Sequence, residues 1–242
     1  LLIATLREAY KDIPKGALVA FGLDGAAALI YAPGPRSAIE SVGVGRDKVY
    51  AAITDNVIGA VHAFSLDGSG WKGTVLALPG NGSADVVSTN DYGPEALFSF
   101  QNYLTPTTLY FDKGDNHPAA IKALPARFDA SNLVTEQFEA VSKDGTKIPY
   151  FVTRPKNLSG PAPTVLYGYG GFEVSLTPGY SANFGRLWLT HGGIYVVANI
   201  RGGGEFGPAW HDAGLKQNRQ KVFDDFGAVP RDLIDRKVTA LR

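Results

Sequence analysis

Cysteine is absent from the 242 residues, which excludes disulfides and thiolate metal sites and leaves the redox compartment open. An excess of charge of either sign is absent too. Twenty-three basic residues balance 23 acidic ones, so nothing in the formal charge calls for a polyanion or an anionic membrane surface. We therefore expect neither nucleic acid nor a membrane as partner. Long apolar runs are also missing: stretches such as "GALVAFGL" and "GGIYVVA" are too short to span a bilayer and read as buried strands. The N-terminus, "LLIATLREAY", has no initiator methionine and no signal-peptide layout of charge, apolar core and small-residue cleavage site. We expect either that something was removed or that this is a piece of a longer chain. The compartment stays open between cytoplasm and periplasm. What is present is a 45% apolar content, enough for one large core or two modest ones.

The first half reads as repeated β-structure. Three strand-then-turn units, "LVAFGLDG", "VHAFSLDG" and "TLYFDKG", end at Gly25, Gly68 and Gly114, which are 43 and 46 residues apart. That interval is close to one four-stranded propeller blade, whose faces need neighbouring blades to be buried. "KVYAAIT", "GTVLALP" and "ALFSFQNY" supply further short strands, and no helical apolar period interrupts them before about residue 130. A β-sandwich with similar turn spacing is the alternative. Three partial repeats are too few to close a propeller by themselves.

Residues 124–137, "LPARFDASNLVTEQ", are polar and turn-rich and mark the expected boundary, with residues 1–130 as partial propeller and 131–242 as a second domain. Beyond it, Asp144 and Gly145 between alternating runs predict a β-hairpin. "TVLYG" and "GGIYVVANI" are expected as sheet strands covered on both faces. "NRQKVFDDFGAVPRDLIDRKV" is expected as a helix capped by Asn218, with Val222, Phe226, Val229 and Leu233 along one face and Pro230 disturbing its interior.

Two glycine-rich loops invite a chemical reading. "RGGGEFG" places Gly202, Gly204 and Gly207 in dinucleotide-binding spacing, with Asp224 twenty residues beyond Gly204. Pro208 and Trp210, however, follow where a helix should open, and no second parallel strand comes after, which argues against a nucleotide cofactor. "YGYGGF", residues 167–172, lacks the Gly-Lys-Ser/Thr continuation of a nucleoside-triphosphate loop. From the residues alone, Tyr169 is either a strand-end tyrosine packed for area or a hydroxyl presented to a reaction centre, and Tyr167 is expected in the core. "GNGSADVVSTND" does not match a calcium loop, and no metal is assigned.

The stretch "VLYGYGGFEVSLTPGYSANFGRLWLTHGGIYVVANIRGGGEFGPAWHDAGL", followed by "FDDF", resembles the prolyl oligopeptidase family of serine peptidases. The likeness runs from about "SKDGTKIPYFVTRP" to the last residue. The propeller-like half, including "LTPTTLY", resembles the family's central region less sharply. The resemblance implies an α/β-hydrolase domain, here its N-terminal part, preceded by all-β propeller blades. It implies hydrolysis of short proline-containing peptides on the carboxyl side of proline, without a cofactor. It implies that Tyr169 donates its hydroxyl to the oxyanion of the tetrahedral intermediate and that Phe172 lines the substrate pocket.

No serine here has glycine at both −2 and +2, the pattern a hydrolase nucleophile elbow requires; Ser69 and Ser83 are expected in hairpin turns. The resemblance places the nucleophile just beyond "DLIDRKVTALR", with the acid and the histidine later still. His62, His117, His191 and His211 are accordingly expected to be structural or surface residues, and the chain to be inactive without the remainder of its polypeptide. A relative that cleaves after basic residues is expected to carry a serine-tyrosine pair where Gly171 and Phe172 stand. The alternative from another class is a non-catalytic propeller-containing scaffold.

Overall fold

The computed structural model describes residues 1–240. The chain divides into two compact units, the first made chiefly of residues 1–101 and 107–124, the second chiefly of 125–205 and 209–242. Among the described residues no helix is long and apolar enough to cross a membrane, a statement that does not bear on strands.

In the first unit, β1 (Leu2–Thr5), β2 (Leu18–Phe21) and β3 (Ala27–Tyr31) form a three-stranded antiparallel sheet. Then β4 (Ser37–Val44), β5 (Val49–Asp55), β6 (Ile58–Asp67) and β7 (Gly70–Val75) form a four-stranded meander. A second meander follows in β8 (Ser83–Thr89), β9 (Ala96–Gln101), β10 (Thr108–Asp112) and β11 (Ala119–Ala123). Each sheet is completed before the next begins, which is blade rather than sandwich topology. Gly25, Gly68 and Gly114 occupy the same place in each sheet, the turn between its last two strands. The 43- and 46-residue spacing therefore counts blades.

Strand periodicity explains how the middle sheet is held. Successive side chains of β5 point to opposite faces. Val49, Ala51 and Ile53 join Leu18, Ala20 and Ile30 in one buried cluster, while Tyr50 joins Ala84, Phe98 and Phe100 in another. Both faces of β5 are thus buried against neighbouring sheets, as stacked repeats require.

In the second unit, β12 (Leu133–Val141) and β13 (Lys147–Pro155) pair as a hairpin whose turn has Gly145 at φ +85° and Asp144 accepting from the Thr146 N–H at 3.1 Å. β14 (Thr164–Gly168) runs through α1 (Ala182–Leu187) to β15 (Ile194–Ala198), which it meets in parallel. The sheet order is β12-β13-β15-β14. A short α2 (Pro208–Asp212) and a long α3 (Arg219–Asp235) follow. Val222, Val229 and Leu233 of α3 are buried with Ile148, Tyr150, Val152, Ile194 and Val196 of the sheet, and Phe226 packs against the same cluster. An amphipathic helix over one face of a mixed sheet is the arrangement expected of an α/β domain.

Three expectations need correction. Asn218 stands at the N-cap of α3 but its side chain caps nothing, because a 3₁₀ turn over Lys216–Asn218 feeds the helix and leaves Asn218 itself in helical conformation. Pro230 lies inside α3 as expected, and the helix continues past it to Asp235. Tyr167 is 45% exposed rather than buried. It sits on β14 at the sheet edge, where Leu166 takes the face toward the core and Tyr167 the other. β14 is accordingly only half-covered. Finally, a helix does open after Gly207: Pro208 occupies the first position of α2, where its missing N–H and fixed φ are tolerated.

Candidate functional site

The loop after β14 is made of backbone that only close packing can hold. Gly170, Phe172 and Glu173 have φ of +59°, +53° and +58°. For the two non-glycine residues this left-handed conformation costs about 1–3 kcal/mol each and persists only where the surroundings over-determine it. Those surroundings are identifiable. A Cβ on Gly170 would stand 2.6 Å from Ile200 Cγ1, 2.7 Å from Val222 Cγ1 and 2.8 Å from the Arg201 carbonyl oxygen, so its backbone is seated directly on the helix-sheet junction. The Gly170 carbonyl accepts from Arg219 Nη1 at 2.5 Å. Val174 N–H donates to the Gly171 carbonyl at 3.1 Å, and Leu176 N–H to Glu205 Oε1 at 3.0 Å.

The loop over 199–205 is its partner. A Cβ on Gly202 would fall 2.5 Å from the Gly170 carbonyl oxygen, and one on Gly204 would fall 2.3 Å from that of Glu173. These glycines let two main chains approach one another, and the space a pyrophosphate would need is filled by protein backbone. The dinucleotide reading fails on packing rather than on Pro208. His211 Nδ1 lies 2.7 Å from the Gly202 carbonyl oxygen. The Glu173 backbone N–H reaches the same Nδ1 at 3.0 Å, so the imidazole sits between the Gly202 carbonyl and the Glu173 main chain. The same Glu173 N–H also lies 3.3 Å from the Gly202 carbonyl oxygen. Asn199 Nδ2 donates to the Leu176 carbonyl at 2.8 Å, tying the two loops at their far ends.

Under both loops lies a buried ionic knot. Arg201, 5% exposed, donates Nε to Asp225 Oδ2 at 2.8 Å and Nη2 to Asp225 Oδ1 at 2.5 Å, while its Nη1 donates to Asp144 Oδ2 at 2.6 Å. Ser142 Oγ donates to Asp225 Oδ1 at 2.6 Å. The hydrogen bonds to Asp225 and Asp144 hold the guanidinium well above its ordinary pKa, and the Arg201 contact holds the Asp144 carboxyl well below the usual carboxylate range. Hairpin, loop and α3 are thereby joined at one point.

On this frame stand the two residues singled out from the sequence. Tyr169 is 43% exposed and Phe172 85% exposed, with ring centroids 6.5 Å apart. The loop thus offers a phenol and a phenyl ring to solvent on an anchored main chain. His191, exposed at the end of a 3₁₀ turn, has its Nδ1 3.4 Å from Thr190 Oγ1. His62 is in the first unit, stacked on Phe64, with its pKa lowered by burial. Among the described residues no group of His, Asp or Glu is arranged to hold a metal ion. Arg219, Arg201, Asp225 and His211 carry the site's geometry and were not singled out for it from the sequence. The only local signal was the pairing of "RGGGE" with "FDD", whose contact spans 24 residues.

Comparison with known proteins agrees with this architecture. A model of the prolyl oligopeptidase N-terminal β-propeller domain matches residues 12–118, and the model of the prolyl oligopeptidase family matches residues 180–241. The chain is 43% identical to an uncharacterized peptidase of Sinorhizobium fredii over 93% of its own length and 32% of the relative's. It is 44% identical to a prolyl endopeptidase of Elizabethkingia miricola over 64% of its length and 22% of that protein's. The solved structure of a post-proline cleaving enzyme from Rickettsia typhi matches with a TM-score of 0.88 at 35% identity, covering 98% of this chain and 36% of that one. The chain thus spans between about a fifth and about a third of the length of these relatives. With blades followed by the first part of an α/β-hydrolase domain, and with models of one family matching both parts, the chain belongs to the prolyl oligopeptidase family of peptidases.

Proposed function

We propose that this chain is part of a serine endopeptidase that hydrolyses short peptides on the carboxyl side of proline, and that Tyr169 supplies one donor of its oxyanion hole. The observation that carries this reading is an accessible phenol on a main chain anchored at the next residue by Arg219 and Val222. Such a donor can meet a developing alkoxide without reorganising, which is where preorganised hydrogen bonds gain most. In this reading residues 1–130 are propeller blades and 131–242 begin the catalytic domain. The remainder of the same polypeptide supplies serine, aspartate and histidine. Gly171 and Phe172, in place of a serine-tyrosine pair, support proline over a basic residue before the scissile bond.

The full-length polypeptide is expected to cleave a reporter peptide after proline and to leave the matching arginine peptide intact. Residues 1–242 alone are expected to cleave neither, since residual oxyanion stabilisation cannot act without a nucleophile. Serine-inhibitor-sensitive cleavage by residues 1–242 alone would overturn the placement of the nucleophile, and preference for arginine would overturn the specificity. Phe172, as a wall of the substrate pocket, contacts substrate in ground and transition states alike. In the full-length polypeptide Phe172→Ala is therefore expected to raise KM with kcat little changed, read from initial rates on the proline reporter. A fall in kcat at constant KM would remove Phe172 from the pocket wall.

A further inference from the structure

The peptide unit immediately after Tyr169 joins Gly170 to Gly171, the pair of residues with the fewest steric limits on rotation. Nothing intrinsic to that unit keeps its carbonyl in one direction, and it follows directly on the residue to which the Tyr169 main chain is joined. What holds it is the guanidinium of Arg219, the first residue of α3, whose Nη1 donates to the Gly170 carbonyl at 2.5 Å. The same nitrogen comes within 3.9 Å of where a Gly171 Cβ would lie and 3.5 Å of where a Gly202 Cβ would lie. A side chain at Gly170 or Gly202 would collide with the atoms packed there, whereas a Cβ at Gly171 would only touch the guanidinium. The cation also lies 5.7 Å from the ring centre of Phe223, one turn along the same helix, which directs the long side chain toward the loop. From below, the Gly170 main chain rests on Ile200, Val222 and the Arg201 carbonyl. The glycine is gripped on both sides, and only one of the grips is a charged donor.

We propose that Arg219 is a positioning residue for the Tyr169 hydroxyl: by clamping the carbonyl of the residue that follows the tyrosine, it keeps the phenol in the direction the oxyanion requires. The inference rests on the oxyanion reading of Tyr169 and adds a residue that touches neither substrate nor reacting atoms. A charge-assisted bond to a carbonyl is stronger than a neutral one, which suits a clamp at an otherwise free glycine pair.

The test is a double-mutant cycle in the full-length polypeptide with a proline reporter. Arg219→Ala is expected to lower kcat by roughly 10- to 100-fold with KM nearly constant, the penalty of a misplaced rather than a missing group. Arg219→Lys, which keeps a cationic donor in reach, should recover most of that loss. In the Tyr169→Phe background, Arg219→Ala should cost nothing further, because the group it positions is gone. If Tyr169→Phe lowers kcat while Arg219→Ala does not, or if the two losses multiply, the clamp is overturned and the tyrosine stands. If Tyr169→Phe leaves kcat unchanged, the oxyanion reading fails and takes the clamp with it. Should Arg219→Ala fail to fold, the same cycle run with Arg219→Gln decides between these outcomes.

Discussion

Tyr169→Phe in the full-length polypeptide is expected to lower kcat by roughly 100- to 1000-fold, the usual cost of one lost oxyanion donor. KM should stay within about twofold, because a group used only in the transition state contributes nothing to ground-state binding. The substitution removes one oxygen and leaves the ring, so the 6.5 Å approach to Phe172 and the seating of Gly170 on Val222 are retained. That makes the variant a test of chemistry rather than of folding. The hydroxyl belongs to a side chain that is 43% exposed, so its loss leaves no buried polar partner stranded. Steady-state kinetics on a proline reporter give the answer, and an unchanged kcat would return Tyr169 to the status of a strand-end aromatic.

The second large effect is on stability. Asp225→Ala is expected to destabilise the second unit by about 3–5 kcal/mol, because it strands the Arg201 guanidinium in a site where that side chain is 5% exposed. Asp144 remains as a partner, but it is 38% exposed and compensates only weakly. Replacing both buried partners, Arg201→Met with Asp225→Leu, should recover much of the loss, since an apolar pair avoids the desolvation cost that the single variant leaves uncompensated. Urea unfolding of the three proteins measures both quantities; equal stability of Asp225→Ala and wild type would show that the knot contributes nothing. Asp144 adds a pH signature. Its folded pKa is depressed by Arg201, so its contribution is present above the unfolded carboxylate value of about 3.9 and is lost as pH falls below it. Wild type should therefore lose stability on acidification below about pH 4 more steeply than Asp144→Asn.

Amino-acid order alone determined the elements whose causes are local. Gly25, Gly68 and Gly114 mark one turn per blade, and at Gly25 and Gly114 the turn holds φ at +79° and +98°, a conformation that favours glycine. Asp144 and Gly145 close their hairpin by a bond two residues long. Val222, Phe226, Val229 and Leu233 face one way because 3.6 residues make a turn of helix, whatever lies opposite. The motif around Tyr169 was legible for the same reason, as a short string whose spacing carries its likeness.

Tertiary structure decided the rest, because the deciding partners are distant in the chain. Tyr167 is 45% exposed on a strand that, among the described residues, pairs with β15 alone, and sheet order is not written in strand composition. The glycines of "RGGGEFG" have a cofactor's spacing, but what they admit is the backbone of Gly170 and Glu173, some thirty residues earlier. Asn218 has a capping side chain and no cap to make, because the preceding turn is already helical. Arg201 finds Asp225 across 24 residues, and Arg219 finds the Gly170 carbonyl across 49. Charge and length qualify any arginine for such a bond; only the fold brings one of them to the single carbonyl beside Tyr169.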